Sequence, residues 1–111
     1  MTFDELDEFI KERDDIYRQW KEGEATDRER VLARMAKLTE EVGELSDEVL
    51  GSLGYQRQEK LDARKPGGLE DEFADVIVTV MLLAKSMDVD IGSALEKNMK
   101  KIRERQAAFP F

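Results

Sequence analysis

Hydrophobic residues recur with helical periodicity in four segments of the chain, and these segments predict four long helices. In order along the sequence the helices cover about residues 2–22, 27–50, 69–87 and 91–106. A spacing of about 3.6 residues between apolar positions is typical of a helix with one buried face. Gly23 ends the first helix. Between the second and third helices, Gly51, Gly54 and the run Pro66-Gly67-Gly68 predict a polar loop with one short helical turn.

Three of the predicted helices have recognisable start signals. Thr2 and Thr26 are each followed three residues later by a glutamate, Glu5 and Glu29, which is the pattern of a capping box. Asp90 stands where an N-terminal cap of the fourth helix is expected. These signals fix the helix starts more firmly than apolar periodicity alone.

The third predicted helix is apolar around most of its circumference. The run Val76-Ile77-Val78-Thr79-Val80 has strand propensity on its own. The apolar pattern continues to Met87, however, which is longer than a usual strand, so we predict a helix. Because one layer of neighbours cannot cover such a helix, a second subunit is expected to contribute to its burial.

The second predicted helix carries an apolar stripe at alternating spacings of four and three residues, which is typical of a helix packed in a bundle. The stripe consists of Val31, Met35, Leu38, Val42, Leu45 and Val49. Together the four helices predict an all-α fold, with one domain over residues 1–111. We expect an antiparallel four-helix bundle-like subunit that is completed by homo-oligomerisation, as a homodimer or a homotetramer.

The composition excludes several classes of function. Cysteine and histidine are both absent, which removes disulfides, thiolate metal sites and histidine-based zinc or nucleophilic chemistry. A net charge of −8 opposes binding to the phosphate backbone of nucleic acids. The acidic start lacks the features of a signal peptide and no apolar run is long enough to span a bilayer, so we expect a cytoplasmic protein that binds no membrane.

Two pairs of acidic residues are the candidate metal ligands. Glu41 with Glu44 and Glu72 with Asp75 are each three residues apart, which places their side chains next to each other on a helix. Hard cations such as Mg²⁺ and Mn²⁺ prefer these oxygen ligands. The glutamates alone are also explained by a solvated helix face. Asp75 is less easily explained that way, because the next positions on its face are largely apolar and an uncompensated acid there is unfavourable.

The fourth predicted helix presents a row of basic residues. Lys97, Lys101 and Arg105 follow each other at helical spacing, and Asn98 occupies a position on the face where the apolar stripe has a gap. One interpretation is that these residues hold phosphate oxygens beside a metal cluster. The alternative is an exposed basic helix end that complements the helix dipole.

The motifs resemble a known family. The string Glu40-Glu41-Val42-Gly43-Glu44, followed by Glu72-Phe73-Ala74-Asp75, is similar to the EExxE and ExxD motifs of MazG-like all-α nucleoside triphosphate pyrophosphohydrolases. The string Asn98-Met99-Lys100-Lys101 resembles an Asn-x-x-Lys element of some members. The resemblance spans roughly residues 35 to 105, and the order of the motifs makes it specific.

The resemblance implies a substrate, a cofactor and a reaction. Magnesium, or manganese, would be held by Glu41, Glu44, Glu72 and Asp75, and a nucleoside triphosphate would be cleaved between its α- and β-phosphates by a metal-activated water. The catalytic candidates are Glu41 and Glu40. Glu40 and Glu48 are candidates either for supporting the metal ligands or for accepting the proton of the water, and the sequence leaves both roles open.

The nucleotide base and the class of activity leave alternatives open. Tyr17 and Trp20 are candidates for stacking on the base, although their helical spacing is also explained by core packing. Certain relatives directed at dCTP or dUTP carry an aromatic and histidine-bearing segment ahead of the first acidic motif, and since this chain has no histidine, their base specificity is not carried over. Phosphoribosyl-ATP pyrophosphohydrolase shares the fold, and a non-catalytic helical oligomeric adaptor is the alternative outside enzymes.

Overall fold

A computed structural model describes residues 1–20 and 23–108, and every regular element within these ranges is an α-helix. The helices are α1 (Phe3–Trp20), α2 (Asp27–Ser52), α3 (Gln58–Asp62), α4 (Gly68–Ser86) and α5 (Ile91–Ala108). This confirms the predicted all-α class, the four long helices and the short helical turn in the loop. The predicted last turn of the first helix, residues 21–22, lies outside the described residues. None of the described helices is both long and apolar enough to cross a membrane.

The predicted start signals form the expected hydrogen bonds. The backbone N–H of Glu5 donates to the Thr2 hydroxyl at 3.1 Å, and the Thr2 N–H donates to the Glu5 carboxylate at 3.0 Å. Thr26 and Glu29 form the same reciprocal pair at the start of α2. Both boxes satisfy backbone donors that the first helical turn leaves without a partner.

The start of α4 depends on a glycine. Gly67 is the N-cap residue and has a φ of 84°, in the left-handed region that favours glycine. Close to it, a Cβ on Gly68 would lie 2.9 Å from the carboxylate oxygens of Glu48 on α2. The chain therefore turns sharply from the polar loop into α4 and brings the beginning of α4 against α2.

α4 packs against both α1 and α2, and the cluster of buried apolar residues lies between α1 and α4. Ile10 is 1% exposed and forms the centre of a small cluster with Met81 and Leu82, to which Tyr17 and Val78 add partly buried contacts. The nearly continuous apolar sequence of α4 explains its central position, because it is the element with most hydrophobic surface to cover.

A buried ion-pair network connects three helices. The guanidinium of Arg34 on α2 donates to the carboxylate of Asp14 on α1 at 2.6 Å and to the carbonyl of Leu82 on α4 at 2.9 Å. Arg18 donates to the other carboxylate oxygen of Asp14 at 3.0 Å. Burying the charges of Arg34 and Asp14 is tolerable because each is paired and hydrogen-bonded.

The predicted bundle interior differs from what the single chain buries. No residue of the apolar stripe on α2 is fully buried, and Met35 and Val42 are about half exposed, whereas Arg30, Arg34 and Glu41 are buried. α5 buries none of its residues. The stripes that we expected to face inward are thus only partly covered within one subunit, and the four-helix bundle remains a prediction.

Candidate metal centre

Three of the four predicted metal ligands converge between α2 and α4. Glu41, Glu72 and Asp75 each offer a carboxylate oxygen, and these oxygens all lie within 4.8 Å of one another. Glu41 is buried at 6% exposure, Glu72 is half-buried and Asp75 is exposed. We call these three residues the acidic cluster. Two segments distant in sequence therefore supply one compact group of carboxylates.

Glu44 lies next to the acidic cluster, one helical turn after Glu41. The negative charge of Glu41, together with partial burial, raises the pKa of Glu44, and Glu44 also interacts with the carboxyl group of Glu72. Glu44 is not one of the three residues whose carboxylate oxygens lie within 4.8 Å of one another. The structure thus brings all four predicted ligands to the same place, with Glu44 at its margin.

Within the acidic cluster, the carboxyl group of Glu72 has the most strongly shifted pKa. Loss of hydration, followed by its contact with the Glu41 carboxyl and the charges of Glu44 and Asp75, raises the pKa of Glu72 from 4.5 to about 7. One oxygen of Glu72 (Oε2) and one of Glu41 (Oε2) are buried without a hydrogen-bond donor among the described residues. These carboxylate oxygens accept no hydrogen bond from the described residues and lie among like charges. A divalent cation would coordinate them and compensate the negative charge.

Asp75 is placed differently from the sequence expectation. We expected an acid flanked by largely apolar positions, and Thr79 and Leu82 on the following turns are buried, but the side chain of Asp75 itself is exposed. The Thr79 hydroxyl donates to the backbone carbonyl of Asp75 at 2.6 Å and not to its carboxylate, so the carboxylate oxygens stay available to a ligand. Asp75 therefore opens toward solvent and can reach a ligand.

A pocket of about 340 Å³ adjoins the acidic cluster. Its lining combines the acids with apolar and aromatic groups, namely Glu41, Asp75, Val78, Leu82, Ala33 and Tyr17, and includes Arg34, Lys37 and Thr79. This volume lies at the lower end of the range of small-molecule sites. The arrangement can hold a ligand that is charged at one part and apolar at another.

Lys37 is a residue of this region that the sequence interpretation missed. Its ammonium lies 3.2 Å from a carboxylate oxygen of Glu41 and 3.5 Å from one of Glu40. Its position four residues before Glu41 on the same helix was a signal that could have identified it. Glu40, a predicted catalytic residue, has a side chain that is 57% exposed and turned toward this lysine.

Glu48 is engaged with the loop rather than with the acidic cluster. Its carboxylate lies 3.5 Å from the guanidinium of Arg64 and is close to the backbone of Gly68. These contacts connect α2 to the polar loop and to the start of α4. They favour a supporting role for Glu48 over the proton-accepting role that the sequence left open.

The predicted substrate-binding residues on α5 are not brought to the cluster within this chain. Asn98, Lys97, Lys101 and Arg105 are all exposed, and among the described residues no hydrogen bond or ion pair joins them to the acidic cluster. Trp20 is 81% exposed at the end of α1. Of the two predicted aromatic residues, it is therefore Tyr17 that lines the pocket.

Comparison with known proteins gives the family. The chain belongs to the MazG nucleotide pyrophosphohydrolase domain family, which matches residues 29–109. It is also similar to the uncharacterized protein YpjD of Bacillus subtilis (strain 168), with 36% identity over 74 residues that make up 67% of this chain. The matched region spans 65% of the length of that relative. No solved structure gives a significant match to this chain.

Proposed function

We propose that the protein is a magnesium-dependent nucleoside triphosphate pyrophosphohydrolase that cleaves between the α- and β-phosphates and releases the monophosphate and pyrophosphate. The observation that carries the proposal is the convergence of Glu41, Glu72 and Asp75 beside a pocket that has apolar walls. Membership of the MazG nucleotide pyrophosphohydrolase domain family supports the same reaction class.

The charge balance of the site supports a metal requirement. A chain with a net charge of −8 repels a polyphosphate, and the acidic cluster concentrates this repulsion. In our proposal Glu41, Glu44, Glu72 and Asp75 hold Mg²⁺, with Mn²⁺ as a compatible substitute. When bound, such a cation neutralises charge on the polyphosphate and lowers the pKa of a bound water.

The chain's own residues then have distinct tasks. The wall formed by Tyr17, Val78 and Leu82 would bind the nucleoside and exclude water from one side of it. Tyr17, rather than Trp20, is the aromatic residue that we assign to the base, because Trp20 lies exposed at the end of α1. Glu40 stays a candidate for accepting the proton of the attacking water, since it adjoins Glu41 and is accessible.

A homo-oligomer is part of the proposal. α4 leaves Phe73 and Ile77 about half exposed, and α5 exposes Leu95, Met99 and Ile102 at helical spacing. Uncovered stripes of this kind are usually buried against another subunit. In a homodimer or homotetramer, Asn98 and Lys101 of α5 would act on phosphate groups across a subunit interface. The lack of cysteine suits the reducing cytoplasm, which we propose as the location.

A substrate panel tests the proposed reaction. Purified protein is incubated with Mg²⁺ and canonical nucleoside triphosphates, their deoxy forms, modified nucleotides and phosphoribosyl-ATP, and pyrophosphate is assayed. We expect pyrophosphate from at least one nucleoside triphosphate, and no turnover after Glu41→Gln with helix content unchanged. Pyrophosphate release from phosphoribosyl-ATP alone would assign the chain to that relative's reaction. No product from any compound would refute the enzyme proposal.

The exposed apolar stripes also favour a second candidate, a helical adaptor without catalysis. The adaptor requires no metal, whereas an ion that binds only the folded protein raises the melting temperature by mass action. Thermal melts with and without Mg²⁺ therefore separate the two candidates. A melting temperature that is independent of Mg²⁺, together with no turnover, would favour the adaptor.

A further inference from the structure

Lys37 shares one ammonium group between two neighbouring acids. The Nζ atom lies 3.2 Å from Oε1 of Glu41 and 3.5 Å from Oε2 of Glu40. The side chain of Lys37 is 55% exposed, whereas that of Glu41 is 9% exposed. The ammonium therefore lies on the more exposed side of a buried carboxylate, and both residues line the pocket.

The position of Lys37 sets it in competition with any cation that binds the acidic cluster. Glu41 is at once the partner of Lys37 and one of the three acids whose oxygens lie within 4.8 Å of one another. A divalent cation held by Glu41 would thus be close to a positive ammonium and be repelled by it. Since the lysine stem is flexible and half exposed, the ammonium can move away when another cation enters.

The other basic residues considered for the site either form hydrogen bonds to other groups or lie on α5. Arg34 lines the same pocket, but its guanidinium is held by Asp14 and by the carbonyl of Leu82. The basic residues of α5 make no contact with the acidic cluster in the described part of the chain. Lys37 both lines the pocket and contacts the cluster, so a polyphosphate in the pocket meets its positive charge.

We propose that Lys37 is a built-in counter-cation of this site: it neutralises Glu41 when no metal is bound and turns to the polyphosphate when metal and nucleotide bind. The assignment rests on the proposed metal site, and its nucleotide half rests on the proposed reaction as well. Its metal half concerns the metal-free protein and is independent of turnover. Removing the charge of Lys37 should therefore strengthen the binding of the metal ion and weaken the binding of the nucleotide. Removing the lysine of an ordinary surface ion pair would not have these opposite effects.

The metal half is tested by titrating metal-free protein with Mn²⁺ alone and measuring free Mn²⁺ by electron paramagnetic resonance. Lys37→Gln and Lys37→Met remove the competing charge, so we expect Mn²⁺ to bind about three- to tenfold tighter. Lys37→Arg keeps the charge and is expected to bind like the wild type. The gain should shrink as ionic strength rises, because the interaction is electrostatic.

The chain offers a matched control in Lys100. Lys100 is also paired with a glutamate four residues away on a helix, Glu104 at 4.0 Å, but on α5. Lys100→Gln is expected to leave Mn²⁺ affinity unchanged. If Lys37→Gln likewise leaves the Mn²⁺ affinity unchanged, or weakens it, the counter-cation role is overturned, regardless of the enzymatic activity of the variant. Circular dichroism establishes that each variant keeps its helix content.

The nucleotide half is tested at saturating Mg²⁺ with the substrate found in the panel. Lys37→Gln is expected to raise KM for the nucleotide about tenfold, with most of the loss restored by Lys37→Arg. Tighter Mn²⁺ binding with an unchanged KM would overturn the phosphate role. If the wild type turns over no compound, the proposed function fails on its own, and the assignment of Lys37 is decided by the Mn²⁺ affinities.

Discussion

The guanidinium of Arg34 lies 2.6 Å from the carboxylate of Asp14, and both side chains are 6% exposed. The pair joins α1 to α2, and the additional bond to the Leu82 carbonyl extends it to α4. Arg34 also lines the pocket beside the acidic cluster. The wall of the candidate site is thus fixed by a buried ion pair as well as by apolar packing.

Removing one member of this pair should destabilise the fold strongly. Arg34→Met leaves Asp14 buried with Arg18 as its charged partner among the described residues, and breaking a buried pair typically costs about 3 kcal/mol or more. Urea denaturation followed by circular dichroism measures the loss. The double variant Arg34→Met with Asp14→Leu should recover much of it, since no buried charge remains unpaired. A single-variant loss below about 1 kcal/mol would contradict the network's structural role.

Two glycine substitutions should change stability in opposite directions. Gly67 has a φ of 84° at the start of α4, so Gly67→Ala is expected to cost about 1–2 kcal/mol. Gly43 lies inside α2 with no atom within 4 Å of an added Cβ, so Gly43→Ala should gain about 0.5–1 kcal/mol through helix propensity. Both values come from the same denaturation experiment. Equal effects of the two substitutions would contradict the assigned backbone conformation.

The stability of the metal-free protein should depend on pH through Glu72. Because its pKa is raised from 4.5 to about 7, the folded state holds a proton that the unfolded state releases. Stability contributed by Glu72 is therefore greatest below pH 4.5, falls as pH rises toward about 7, and is constant above that. The melting temperature of wild type relative to Glu72→Gln should decline across this interval. A difference that stays constant or increases with pH would contradict the burial of Glu72 among like charges.

An oligomer should be disrupted at the exposed stripe of α4. Ile77 is 53% exposed in the single chain, and Ile77→Glu places a charge where we propose that a second subunit packs. Light scattering after gel filtration should give a multiple of 12.8 kDa for the wild type and 12.8 kDa for the variant. Ile77→Val keeps the stripe apolar and serves as the control. A monomeric wild type would refute the proposed assembly.

The helices could be predicted from the sequence because their signals are local. The capping box of Thr26 and Glu29 involves residues three apart, and the structure contains it as predicted. The two pairs of acids could likewise be recognised from their spacing. That they converge across α2 and α4 could be predicted firmly only with the help of the family resemblance.

Other features depend on contacts that no local pattern encodes. Asp14 and Arg34 are 20 residues apart and meet only through the packing of α1 on α2, and each alone looks like an ordinary surface charge. The contact of Lys37 with Glu41 could be predicted from their spacing. A lysine four residues before a glutamate is common on exposed helices, however, so the spacing does not indicate a functional role. α5 buries no residue against the rest of the single chain, so the contacts predicted for it from the sequence stay a prediction.

The most direct test of the central claim is a Mn²⁺ titration of four single variants beside the wild type. We expect the wild type to bind the ion, Glu41→Gln, Glu72→Gln and Asp75→Asn each to lose at least about tenfold in affinity, and Glu70→Gln, an exposed acid at the start of α4, to bind normally. Equal affinity in all five proteins would contradict the claim that the three acids form one cation site.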